Sequence, residues 1–196
     1  ILAIGYDSKD RCQYIYNKKY TKMNNEIKYY NLIDFELNYK KIIKKINKDL
    51  ENPNIKINEI ATVLKIISEC NFRIGNELYR DDNNSYGVST LENRHIKING
   101  ESIKIDFIGK KGVYNKCHFK NKRLSKNLRR KKKLRKSKRI FNISNPQINN
   151  YLKEFGDFSS KNFRTWNANI EYIYAIQEHY DDLSKLKKIS NKSVSI

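Results

Sequence analysis

The sequence predicts an α+β fold, mainly α-helical with a small antiparallel sheet. Three observations lead there: apolar residues recurring at helical spacing, a run of short alternating segments around a lysine-tipped turn, and capped helical stretches near the C-terminal end. Residues 1–16 (ILAIGYDSKDRCQYIY) read as two short strands around the polar turn Asp7-Ser8-Lys9-Asp10. From Phe35 to Leu50, Leu37, Tyr39, Ile42, Ile43, Ile46 and Leu50 keep helical spacing with lysines opposite, and Pro53 ends the helix. A second helix is expected from about Ile57 to Leu78, which puts Arg73 near its C-terminal end. Asp81-Asp82-Asn83-Asn84-Ser85-Tyr86-Gly87 reads as a turn.

Ile96–Ile98 and Ile103–Ile108 then read as strands, the second alternating Ile103, Ile105 and Phe107 with Lys104 and Asp106. After Gly109-Lys110-Lys111-Gly112 the chain returns as a strand over Val113–Lys120, a hairpin whose tip carries two lysines. Ser144 is a fitting N-cap, Pro146 suits a first helical turn, and Gly156 closes that helix. A last helix is expected from Ser159 or Ser160 toward His179. No internal repeat is visible.

The chain has 196 residues, 38% hydrophobic and 32% charged, enough apolar content for one real core. It has no apolar run long enough to span a bilayer and no signal-peptide pattern at its start. Cys12, Cys70 and Cys117 are far apart in sequence, so neither a disulfide framework nor a CxxC metal site is expected. The net charge of +20 points to a polyanion as partner, DNA or RNA ahead of an anionic membrane. An AT-rich genome inflates Lys, Asn and Ile, so the charge is discounted, though not to zero. Residues 120–139 hold 13 basic residues and no acid, readable as a DNA-facing segment or as a solvated helix.

No P-loop, GxGxxG, HExxH or GxSxG occurs, and His95, His118 and His179 lack the spacing of a shared metal site. What remains is a set of cations: Arg73, Lys110 and Arg164. Two arginines can clamp the non-bridging oxygens of a phosphodiester, and a lysine on a turn can protonate a leaving alkoxide. Each also has a plain structural reading. Arg73 could serve the dipole at a helix end, Lys110 could be a turn charge, and Arg164 could form a buried ion pair.

In this order and context the three resemble the type IB DNA topoisomerase family. The resemblance begins at Gly5-x-Asp7-x-Lys9-x-Arg11-x-Gln13-Tyr14-x-Tyr16 and runs through Arg73-Ile74-Gly75-Asn76-Glu77 and Ser85-Tyr86-Gly87-Val88-Ser89-Thr90-Leu91. It continues in Asn93-Arg94-His95, Phe107-Ile108-Gly109-Lys110 and Phe163-Arg164-Thr165-Trp166-Asn167-Ala168. The short connections and the Phe-Arg-Thr-Trp block look like the small poxvirus and bacterial members.

The resemblance implies relaxation of supercoiled duplex DNA through a 3′-phosphotyrosyl intermediate, with no cofactor, no metal and no ATP. It implies Arg73 and Arg164 as transition-state clamps and Lys110 as general acid toward the 5′ oxygen, with Lys111 in reserve. Tyr14, Tyr16, Tyr79, Lys161 and Asn169 fall at positions of supporting DNA contacts. It implies double-stranded DNA as partner, monomeric action, and a place in the cytoplasmic nucleoid or in a viral particle or factory.

The family pattern also carries a histidine and the nucleophilic tyrosine farther past Arg164 than this chain runs, and a small N-terminal clamp domain. The expectation is therefore a catalytic domain over 1–196 that lacks both. His179-Tyr180 reads as a helix surface rather than a substitute. The alternatives are a tyrosine recombinase, which usually has His-x-x-Arg where Lys161 precedes Arg164 here, and a non-catalytic basic DNA-binding protein.

Overall fold

The structure is a computed structural model that describes residues 1–8, 10–77, 80, 84–134 and 138–178. Its centre is a helix that the sequence makes apolar on nearly every side. Helix α2 (Ile55–Cys70) buries every residue from Asn58 to Ile67, the pattern of a helix enclosed by neighbours rather than lying on a surface. Its start is fixed by Asn54, whose side chain accepts from the Lys56 and Ile57 amides. Helix α1 (Lys18–Asp49) packs on it through Phe35, Ile42 and Ile46. The sheet β3 (Ile96–Asn99), β4 (Ser102–Ile108) and β5 (Tyr114–Lys120) is antiparallel in the order β3-β4-β5. It contributes Ile96, Ile103, Ile105 and Phe107 to the same core, the inward half of the alternation seen in the sequence.

Helix α3 (Lys122–Leu134) adds Leu124 and Leu128, α4 (Asn145–Leu152) adds Ile148 and Leu152, and α5 (Ser160–Glu178) adds Phe163. The N-terminal strands β1 (Ala3–Tyr6) and β2 (Cys12–Ile15) form a separate two-stranded sheet with every residue exposed. The expected α+β architecture is the one observed. Among the described residues no helix is long and apolar enough to cross a membrane.

Three helix boundaries are corrected. Helix α1 begins at Lys18, well before Phe35, because the Asn17 side chain caps it and residues 18–49 hold no Gly or Pro. Its first half buries nothing, so its apolar residues gave no core-facing signal. Helix α2 stops at Cys70 instead of Leu78. Asn71 takes the left-handed conformation (φ 57°, ψ 21°) and returns its amide to the Ile67 carbonyl, a C-terminal cap that Asn tolerates. Arg73 therefore lies beyond the helix. Helix α4 ends at Leu152, and Gly156 (φ 150°) comes after a further turn.

Cys70 and Cys117 form a disulfide, with Cα atoms 5.7 Å apart and a sequence separation of 47. The sheet brings β5 to the end of α2, a contact that sequence spacing does not disclose. Closing a loop of that length stabilises a fold by about 2–4 kcal/mol through the unfolded state. Reduction, or Cys70→Ser, is expected to lower Tm by several degrees. An unchanged melting curve would show that the bond adds nothing.

The basic run divides in two. Lys131 reaches buried Glu59 at 3.8 Å, Lys132 donates to the Asn93 and Ile96 carbonyls at 2.9 and 2.6 Å, and Arg129 donates to the Gly100 carbonyl. These tie α3 to α2 and to the sheet. Lys122, Lys126, Arg130 and Lys133 are exposed.

Candidate functional site: a cationic cleft

Three segments that are distant in sequence meet at one cleft. The first is the extended stretch after α2. Phe72 turns inward onto the Phe107 ring, with centroids 4.9 Å apart, and Arg73 is thereby turned outward. The second is the β4–β5 hairpin tip. There the Gly109 amide donates to the Val113 carbonyl at 2.7 Å, and Lys111 adopts a left-handed conformation (φ 62°). The third is α5, where Phe163 packs edge-on against Phe35 at 5.1 Å and leaves the adjoining face to Ser160, Lys161 and Arg164. These three recur at helical spacing, so they share one side of the helix.

Residues 86–89 act as a strap between the first two segments. The Tyr86 amide donates to the Ile108 carbonyl at 2.9 Å, next to the lysine tip. The Val88 and Ser89 amides donate to the Arg73 and Ile74 carbonyls at 2.9 and 2.7 Å. This crossing needs glycine on both sides. A Cβ at Gly87 would overlap the Gly75 backbone and stand 2.7 Å from the Arg73 carbonyl, while Gly75 itself has φ 99°. The Asn145 side-chain amide then holds the Gly75 carbonyl at 2.6 Å from the start of α4.

The cleft is lined by Arg11, Arg73, Lys110, Lys111, Lys161 and Arg164, together with Asn76, Ser85, Tyr86 and Ser160, and no carboxylate lines it among the described residues. Burial, and after it the neighbouring Arg73 charge, push the Arg164 guanidinium below its ordinary pKa. The two arginines thus feel each other's field, an arrangement that an anion between them would relieve. Arg164 anchors its Nε on the Asn71 carbonyl at 2.6 Å.

Of the expected site residues, Arg73, Lys110, Lys111, Lys161 and Arg164 converge here. Tyr14 and Tyr16 do not line the cleft. They form an exposed aromatic row with Tyr20, with centroid separations of 6.1 and 5.5 Å. Asn169 is exposed one turn farther along α5, its amide donating to the Thr165 carbonyl. Tyr79, the Asp81-Asp82 pair, His179-Tyr180 and the C-terminal serines lie outside the described residues. Sequence reasoning quoted Arg11 without a role. The Asp7 carboxylate holds its guanidinium at 2.6 Å across the β1–β2 turn, at the cleft's edge. Asn167 was likewise quoted without a role, and Asn71 was missed, since an Asn inside an apolar helical pattern gives no sign that it caps the helix.

His95 is structural. It is buried edge-on beneath Tyr86, with centroids 4.5 Å apart, and its Nδ1 accepts from the Glu92 amide at 3.1 Å. Burial first, then the Arg94 charge, lower its pKa. The folded state thus binds its proton less readily than the unfolded chain. Stability is then full above the ordinary value of about 6.5 and falls as pH drops through it toward the depressed value. Denaturant titrations between pH 7.5 and 5 are expected to show that decline, and His95→Gln to flatten it. Gly87→Ala is expected to cost about 1–3 kcal/mol of stability, as overpacking against a fixed backbone does; an undisturbed midpoint would show that the strap can move.

The family model for the eukaryotic DNA topoisomerase I catalytic core matches residues 17–195. The chain is 30% identical over 192 residues to a DNA topoisomerase 1B of Acanthamoeba polyphaga mimivirus, covering 90% of this chain and 57% of that protein. It is 27% identical over 196 residues to the DNA topoisomerase 1B of Vaccinia virus (strain Copenhagen), covering 95% of this chain and 60% of that protein. Among solved structures, a XerH site-specific recombinase aligns with a TM-score of 0.49 at 15% identity, over 79% of this chain and 46% of that one. The chain thus spans somewhat over half the length of the curated viral relatives. With a family model matching nearly its whole length, it belongs to the type IB DNA topoisomerases, within their catalytic core.

Proposed function

We propose that residues 1–196 serve as the catalytic domain of an enzyme that relaxes supercoiled duplex DNA by cutting and resealing one strand. The observation that carries this is the convergence of Arg73, Lys110 and Arg164, from three segments distant in sequence, on one cleft that no carboxylate lines among the described residues. Such a cleft suits a phosphodiester. The arginines face the non-bridging oxygens, where charge builds as phosphorus becomes five-coordinate, and their geometry is already set before the reaction.

The reaction exchanges one ester for another. A tyrosine oxygen bonds to phosphorus, the bond to the 5′ oxygen breaks, and Lys110 delivers a proton to the departing oxygen. The DNA is left as a 3′-phosphotyrosyl ester with a 5′-hydroxyl end able to rotate, and the reverse exchange reseals it. Because one phosphoester bond replaces another, no ATP is needed to drive closure, and the guanidinium groups supply the charge stabilisation that a metal would otherwise give. The attacking tyrosine has no assignment among the described residues. Lys111 is the reserve proton donor, one residue along the same tip. Lys161 is assigned to a flanking phosphate from within the cleft, and Tyr14, Tyr16, Tyr79 and Asn169 to the duplex on either side.

Arg73→Ala and Arg164→Ala are each expected to slow single-turnover cleavage of a duplex substrate by about 2–4 kcal/mol of transition-state stabilisation, with DNA affinity largely kept. Equal losses in binding and cleavage would overturn the clamp assignment. Lys110→Ala is expected to be rescued by a 5′-bridging phosphorothiolate, whose sulfur leaves without a proton; no rescue would remove Lys110 from the general-acid role.

A further inference from the structure

We infer that Asn71 and Asn167 are positioning residues for Arg164, an assignment that rests on the proposed reading of the cleft. Arg164 and Arg73 carry like charges on neighbouring elements, so something must hold the Arg164 guanidinium against that repulsion and fix its plane. The end of helix α2 does so. Its C-terminal cap, Asn71, adopts the left-handed conformation (φ 57°, ψ 21°), which turns its carbonyl out of the helix to accept from Arg164 Nε at 2.6 Å. Carbonyls at a helix C-terminus carry partial negative charge, suited to a cation.

The cap is itself held by a second residue of α5. The Asn167 side-chain amide donates to Asn71 Oδ1 and, at 3.2 Å, to the Ser68 carbonyl. Asn167 stands one turn after Arg164 on α5, so both side chains on one face grip one capping residue, Arg164 its main chain and Asn167 its side chain. All three residues are partly buried, where such bonds are little weakened by water. The result is a linked set of bonds between α2 and α5 that holds the guanidinium at its Nε–H.

The test uses Asn167→Ala, which removes the amide donor, and Asn71→Gly, which keeps the left-handed backbone and the carbonyl but loses Oδ1. Each is expected to slow single-turnover cleavage about tenfold, the scale of a small misplacement of a reacting group, while duplex-DNA Kd stays within about twofold. Both remove the Asn167–Asn71 bond, and Asn167→Ala also removes the bond to the Ser68 carbonyl, so the double variant is expected to be no slower than Asn167→Ala alone. In an Arg164→Ala background Asn167→Ala is expected to add nothing. Additive losses there would reduce Asn167 to a structural residue and overturn the inference.

A second readout does not depend on cleavage. Arg164 Nε–H is expected as a protected signal in arginine side-chain NMR, with proton exchange at least about tenfold faster in Asn167→Ala, because the acceptor on Asn71 is no longer held. An unchanged signal would overturn the positioning role even if the protein proved unable to cleave DNA, whereas absent cleavage with the expected NMR change would count against the proposed function alone.

Discussion

Everything at the cleft depends on two backbones touching where Gly87 crosses Gly75. Only residues without Cβ can meet so closely, and the contact lets three elements share hydrogen bonds. Through it the strap 86–89 binds the end of β4 and the Arg73 stretch at once. The Lys110 tip and the Arg73 side chain are therefore parts of one rigid unit although 37 residues of sequence separate them. Arg164 joins from α5 through the Asn71 carbonyl, so the end of α2 is the common root of both arginines.

The cations divide into those gathered at the cleft and those that build the fold. The helix α3 lysines that looked most like a nucleic-acid segment are partly consumed by structure. Lys132 spans two backbone carbonyls and has its pKa lowered by burial, and Lys131 meets Glu59 in the interior. The cleft cations, by contrast, are gathered with no carboxylate among the lining residues described, and Arg164 carries the cost in a depressed pKa. A cluster of like charges in one concavity needs its elements held by packing of their own as well as by the bonds between them. The Phe72–Phe107 contact, the hairpin ladder and the Phe163–Phe35 contact supply that anchoring.

The α+β class, the β4–β5 hairpin and the last helix were legible in the sequence because their signals are local: alternation, a Gly-Lys-Lys-Gly turn and apolar spacing. The end of α2 was not, since stopping at Cys70 turns on one Asn taking a left-handed conformation inside an otherwise helical pattern. The first half of α1 was missed for the opposite reason, a helix that buries nothing. The cleft's main cations could be named from ordered motifs, yet the disulfide, the strap and the Asn71–Asn167 grip join residues 47, 15 to 22 and 96 positions apart. Such pairings are decided by tertiary packing, to which the sequence pattern is blind.

The central claim is that this cleft serves a tyrosine nucleophile on a phosphodiester with two arginines and a lysine, and without a metal or ATP. Its most direct test is the relaxation of negatively supercoiled plasmid by the full-length protein, in EDTA and without ATP, beside the Arg164→Ala variant. The account predicts a ladder of relaxed topoisomers from the protein and a severe slowing in the variant at equal DNA binding. Plasmid that is bound but never relaxed, or relaxation that is indifferent to Arg164, would contradict it.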